Sequence, residues 1–229
     1  MIFITGDTHM NKNISKLNTK NFPKQKQLSK NDYVIITGDA GFIWDNSKTQ
    51  KWWLNNITNR NFTTLFVDGN HENFDILNKY PVEEWNGGLV HKITPSIIHL
   101  MRGQVYTIEG KKFFTFGGAS SIDICTRIPG IDWWKEELPN KAEIDLALEN
   151  LEKHDFKVDY ILSHTCSTTT LQYIAAREQF YIEDIDCVNQ FLEYIKGFVE
   201  YKKWFFGHFH LDYEIKDKEI VCFNNIHSI

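Results

Sequence analysis

Five short apolar runs in this chain each end in residues that can hold a metal ion, and no other feature constrains the fold as tightly. Ile-Phe-Ile-Thr-Gly leads into Asp7-Thr8-His9, Val-Ile-Ile-Thr-Gly into Asp39, and Leu-Phe-Val-Asp-Gly into Asn70-His71-Glu72. Tyr-Ile-Leu-Ser leads into His164, and Trp-Phe-Phe-Gly into His208-Phe209-His210. Short apolar, β-branched runs of this kind read as strands. In a sheet whose strands share a direction, residues just past the strand ends meet on one rim, where open α/β sheets place their sites. The pattern therefore selects a largely parallel core with one polar edge.

The remaining elements agree with that choice. Strands are predicted at 2–5, 33–37, 64–67, 97–101, 104–109, 112–116, 160–163, 203–206 and 219–223. Several are continuously apolar, so both faces are buried with helices outside, and the class is layered α/β or α+β. Helical periodicity covers 48–57, 141–153 and 184–198. In the second of these Ile144, Leu148 and Leu151 share a face, as do Ile185, Val188, Leu192 and Ile195 in the third. No repeat or Pro/Gly linker divides the chain, and 42% apolar residues suffice for one core, so 1–229 reads as a single domain. Two stretches read as loops: 10–31, with six lysines and no carboxylate, and 119–139, which carries Ser120, Ser121, Arg127 and Trp133-Trp134.

The ordered set D-x-H, G-D, G-N-H-E, H and G-H-x-H, spread over residues 5 to 210, resembles the calcineurin-like metallophosphoesterase superfamily. The resemblance implies a four-layer α/β/β/α sandwich with two metals at the C-terminal ends of the strands. It implies that Asp7, His9 and His210 hold one metal, that Asn70, His164 and His208 hold the other, and that Asp39 bridges both. His71 would stand beside the metals without binding them and serve as general acid. Mixed imidazole and oxygen ligands suit manganese, iron, zinc or nickel better than calcium or magnesium, and manganese is the first choice. Two carboxylates against two divalent ions leave about +2, an anion trap. Two metals about 3.5–4 Å apart can share an activated hydroxide as nucleophile. Glu72 reads as a structural partner of a backbone group or a ligand histidine.

Departures from the family pattern narrow the function. Met10 stands where many members have glycine. Many protein phosphatases of the superfamily continue the second motif as G-D-x-x-D-R-G, supplying an arginine that clamps phosphate, whereas this chain reads Gly38-Asp39-Ala40-Gly41-Phe42-Ile43-Trp44. With four arginines in all, and Arg102 and Arg127 left outside the catalytic set, hydrolysis of a phosphodiester, nucleotide-like or nucleic-acid-like, is favoured. A broad phosphomonoesterase and a non-catalytic metal-binding scaffold are the alternatives. The net charge of −5 excludes a general basic field for nucleic acid. The lysine run reads first as a solvated face and second as a lure for polyanions. Four scattered cysteines and the absence of an apolar leader point to reduced thiols in the cytoplasm. Cys166, His91, His99, His154 and His227 read as structural, and Trp133 and Trp134 as packing residues rather than nucleobase platforms.

Overall fold

In the computed structural model, which describes residues 1–229, the apolar runs become the core strands. The chain order is β1 (Ile2–Thr5), β2 (Tyr33–Thr37), α1 (Lys48–Thr58), β3 (Thr63–Val67), α2 (Phe74–Leu77), β4 (Val82–Trp85), β5 (Gly88–Thr94), β6 (Ile97–Leu100), β7 (Gln104–Ile108), β8 (Lys111–Phe116), α3 (Lys141–Lys153), β9 (Tyr160–Ser163), α4 (Thr168–Glu178), α5 (Cys187–Lys196), β10 (Lys203–Phe206), β11 (Tyr213–Ile215), β12 (Glu219–Val221) and β13 (His227–Ser228). They form two mixed sheets, ordered β13-β1-β2-β3-β6-β5-β4 and β11-β12-β10-β9-β8-β7. Within the first, β1, β2, β3 and β6 are parallel neighbours. Within the second, β8, β9, β10 and β12 are.

Continuous apolarity in these strands has the expected cause. Alternate side chains point to opposite faces of a sheet, and here each face has its own apolar cluster. Ile4, Ile35, Leu65 and Val67 of the first sheet join Phe113, Leu162, Phe205 and Ile220 of the second in one cluster. The intervening Phe3, Val34, Ile36 and Phe66 pack with Leu54 and Ile57 of α1. On the second sheet Phe114, Ile161, Trp204 and Phe206 pack with Leu151, Ile174 and Leu192 of α3, α4 and α5. A one-residue slip in any of these strands would exchange its two sets of side chains between clusters, so the register is strongly specified.

Several elements lie outside the sequence expectation. The hairpin of β4 and β5 turns on Asn86-Gly87, both with positive φ (50° and 93°), the type I′ geometry that this dipeptide favours. Because Val82, Glu83 and Glu84 of β4 are exposed, the hairpin lacks the apolar run that marked the core strands. Helix α4 opens with three threonines and buries only Thr170, Leu171, Ile174 and Ala175, which blunts its periodicity. The short α2, β11 and β13 offer too few residues for a pattern. Helix α5 starts at Cys187 rather than at 184, because the Asp186 side chain accepts the Asn189 N–H and Asn189 returns the contact, a capping box that fixes the first turn. The 10–31 stretch is not featureless either, since it holds 3-10 turns at Ile14–Leu17 and Pro23–Gln27.

Candidate metal site

Three parallel strands from each sheet deliver the site. Asp7, Asp39 and Asn70 follow β1, β2 and β3, while His208, His164 and Ser121 follow β10, β9 and β8. The two triples face each other member by member. The His208 backbone N–H donates to both Asp7 carboxylate oxygens, at 3.1 and 3.0 Å. His164 lies with its Nε2 3.5 Å from Asp39 Oδ2, and Asn70 Nδ2 donates to Ser121 Oγ at 3.1 Å.

Turning each chain back so that its side chain enters the gap requires unusual backbone. Asp7, His9, Asp39, His208 and His210 all have positive φ, between 36° and 67°, a region costing a non-glycine residue on the order of 1–3 kcal/mol and concentrated at functional sites. The flanking glycines are needed for close approach. A Cβ on Gly69 would overlap Asp39 Oδ1, and one on Gly207 would overlap Asp7 Oδ2. The turns are also tied to one another, as His9 N–H donates to the Asp39 carbonyl at 2.9 Å and Met10 N–H to that of Ala40 at 3.1 Å.

All eight residues singled out in the sequence meet here. Asp39 Oδ2 is the hub, 3.8 Å from His9 Nε2, 3.5 Å from His164 Nε2 and 4.0 Å from His71 Nε2. His9 Nε2 and His210 Nε2 are 3.0 Å apart, and with Asp7 they form one compact group of ligand atoms. Asp7, Asp39 and His164 form a second. Asn70 Oδ1 lies 3.0 Å from His164 Nε2, and the His208 ring packs against the His164 ring with centroids 4.9 Å apart. Asp7, Asp39, Asn70 and His164 are buried, whereas His210 is exposed.

This donor set fits a cation. His164 Nδ1 faces the Thr37 carbonyl at 3.0 Å, which can only accept, so Nδ1 carries the proton. The Nε2 lone pair then confronts the Asp39 carboxylate and the Asn70 oxygen with no hydrogen to join them, unless a positive charge enters. A second proton on His164 is the substitute: burial opposes it, but Asp39 and Asp7 outweigh burial and raise the imidazole to about 9. For Asp39, burial pulls its carboxyl upward and facing His164 wins, holding it below the ordinary carboxylate range. Burial pushes the Asp7 carboxyl up to about 8. It lowers His9 to about 4, His208 to about 3, and His71 and His210 below their ordinary values. Those imidazoles are thus neutral, the form in which they ligate metals.

A cavity of about 860 Å³ opens over Asp39, Asn70, His71 and His208. Arg127 is its one Arg or Lys side chain, against the carboxylates of Asp123, Glu183, Asp184 and Asp186 on its wall. Arg127 Nη1 is 3.1 Å from His71 Nδ1, a contact that sequence reasoning missed. The available signal was the strand at 112–116, since residues past its end reach the same rim. Arg102 is elsewhere, buried against Asp68 with Nε to Oδ2 at 2.7 Å. Glu72 has the structural role expected of it, accepting the Ala40 N–H at 3.0 Å. Trp134 is buried in the core with Nε1 donating to Asp75 at 3.0 Å, and Cys166 is buried behind the second sheet. None of the six lysines of 10–31 lines the cavity. Lys16 instead is buried, donating to the carbonyls of Gly6, Asp7 and Phe223.

Ser121, which receives Asn70, is itself held by the buried Glu137, whose Oε2 accepts the Ser121 N–H at 3.2 Å while Oε1 has no partner. Burial raises this carboxyl to about 7 from an ordinary 4.5. The folded state therefore holds the proton more tightly than the unfolded chain, and stability from this group is full below pH about 4.5 and lost as pH rises through about 7. Glu137→Gln is predicted to flatten that part of the stability profile, read as urea midpoints at pH 5 and pH 8. Parallel declines in variant and wild type would assign the loss to other groups.

A family model for calcineurin-like phosphoesterases matches residues 1–212. No curated protein matches the chain.

Proposed function

We propose, since this chain belongs to the calcineurin-like phosphoesterase family and is thus a metal-dependent phosphoesterase, that it hydrolyses a small phosphodiester using two divalent cations. Asp7, His9 and His210 hold one cation, Asn70, His164 and His208 the other, and Asp39 serves both. The observation that carries this reading is the position of Asp39 Oδ2, within 3.5–3.8 Å of ligand nitrogens from both groups. Cations in those places, manganese first and iron, zinc or nickel as alternatives, supply an activated water and stabilise charge on the phosphoryl oxygens. The neutral donors, Asn70 and the burial-lowered imidazoles, leave the cations' charge largely uncancelled for an anionic ester. His71 holds a proton beside Asp39 and delivers it to the departing alkoxide.

The cavity supports a substrate carrying one phosphate. With Asp123 paired to the lone arginine, Glu183, Asp184 and Asp186 leave the wall negative and disfavour a long polyanion, which favours the nucleotide-sized end of the substrate range over nucleic acid. Arg127 also opens a second reading. Its Nε donates to Asp123 and its Nη1 to Asp132 and His71, leaving Nη2 free to meet a phosphate oxygen, so the clamp missing after Asp39 has a replacement from another loop. That favours a phosphomonoesterase. The deciding experiment is hydrolysis of an aryl phosphodiester and its monoester by manganese-reconstituted protein. Faster diester turnover supports the first reading and faster monoester turnover the second. Two bound metals with no turnover of either ester would favour a metal-binding scaffold.

A further inference from the structure

We propose that Arg127 is a positioning residue, holding His71 in the tautomer whose Nε2 carries the proton and faces the ligand cluster. This rests on the reading of His71 as proton donor. A guanidinium has five N–H donors and no acceptor. Arg127 Nη1 lies 3.1 Å from His71 Nδ1, so Nδ1 must present its lone pair there. A neutral imidazole has one proton, which is then on Nε2. That atom is the one 4.0 Å from Asp39 Oδ2, on the side of the ligand cluster. In the opposite tautomer an N–H would meet an N–H across the same 3.1 Å gap, and Nε2 would arrive with nothing to give.

Both partners of this contact are fixed from outside it. The His71 backbone N–H donates to Asp39 Oδ1 at 2.9 Å, which sets where the ring begins. Arg127 is braced by Nε to Asp123 Oδ1 at 2.6 Å and by Nη1 to the Asp132 carbonyl at 3.0 Å. Asp132 in turn accepts the Ile128 N–H at 2.5 Å, closing the loop that follows β8 around the guanidinium. The exposed Asp123 pair alone is an ordinary i,i+4 surface contact. What distinguishes Arg127 is that one terminal nitrogen is shared between a loop carbonyl and a ring nitrogen of a different strand's loop. The fork geometry matters, since an ammonium offers one point of charge and cannot satisfy Asp123, Asp132 and His71 together.

The test uses zinc-reconstituted protein labelled with 15N in histidine, with the His71 tautomer read from long-range 1H–15N couplings. Wild type is expected to show Nδ1 bare and Nε2 protonated, and Arg127→Met to show a substantial Nδ1–H population. With manganese, Arg127→Met is expected to lower kcat about tenfold on an alkyl-leaving-group diester, less on an aryl one, with KM little changed. Arg127→Lys should recover part of both readouts. Asp123→Asn, which loosens the brace and leaves the guanidinium in place, should fall between if Arg127→Met proves unfolded. An unchanged tautomer in a folded Arg127→Met, or a loss confined to KM, overturns the proposal and makes Arg127 a phosphate-binding group. A tautomer shift in a protein that turns over no ester upholds the positioning role and overturns the hydrolase reading alone.

Discussion

Asp39→Asn is expected to strip both metals from the protein together and to abolish phosphoester hydrolysis. The backbone tolerates the change: asparagine is at ease at the φ of 48° found there, and its amide oxygen can still accept the His71 N–H now received by Oδ1 at 2.9 Å. What goes is the negative charge of Oδ2 within 4 Å of His9 and His164. An amide nitrogen in its place would point N–H donors at the proposed cation positions. Changing an outer-shell partner of a metal ligand costs roughly 10–100-fold in affinity or activity, so losing a carboxylate that the proposed site shares between two cations should exceed about 100-fold. The measurement is metal content after desalting, by elemental analysis, alongside aryl-diester turnover. A variant that retains one metal at full occupancy would remove Asp39 from the shared position, and one that retains two and still turns over would refute the assignment altogether.

The candidate site was legible because its residues sit at the one kind of place that sequence marks well, the end of a buried strand. Asp7, Asp39, Asn70, His164 and His208 each follow an apolar run with glycine or serine between, and parallel pairing then dictates that they meet. The charges of their surroundings were not legible, because those depend on which long side chains fold inward. Lys16 looked like one member of a solvated lysine run, yet it is buried beneath the Asp7 turn, with its ammonium satisfied by three carbonyls. Lys30 does similar work, donating to the carbonyls of Thr58, Arg60 and Phe62. Two of the six lysines are thus taken up by backbone carbonyls, Lys12, Lys20, Lys24 and Lys26 stay on the exposed surface, and none lines the cavity, whose wall carries carboxylates.

Arg127 shows the converse failure. It lies in a stretch with no periodicity, more than fifty residues from His71, and its value comes only from where the loop after β8 returns. The hairpin of β4 and β5 was missed for a different reason: its Asn86-Gly87 turn was in plain view, but exposed Glu83 and Glu84 hid the strand beside it. Local turn chemistry and apolar runs are separate signals, and at β4 only the first is present.

His71→Ala is expected to leave metal content unchanged while slowing hydrolysis by roughly 100 to 10,000-fold on esters with poor leaving groups, the range a positioned proton donor contributes. The ring lies 4.0 Å from Asp39 through Nε2 and is engaged through Nδ1 by Arg127, so neither nitrogen is free to turn fully toward both metal groups. Its backbone N–H, which steadies Asp39, survives in alanine. The loss should shrink as the leaving alkoxide becomes less basic, because a phenolate with strong electron withdrawal departs without a proton. A plot of log kcat against leaving-group pKa is therefore expected to be steep for the variant and shallow for wild type. Parallel slopes would take proton donation away from His71. Loss of one metal in the variant would instead make His71 a ligand, and the ligand set would then have to be redrawn around it.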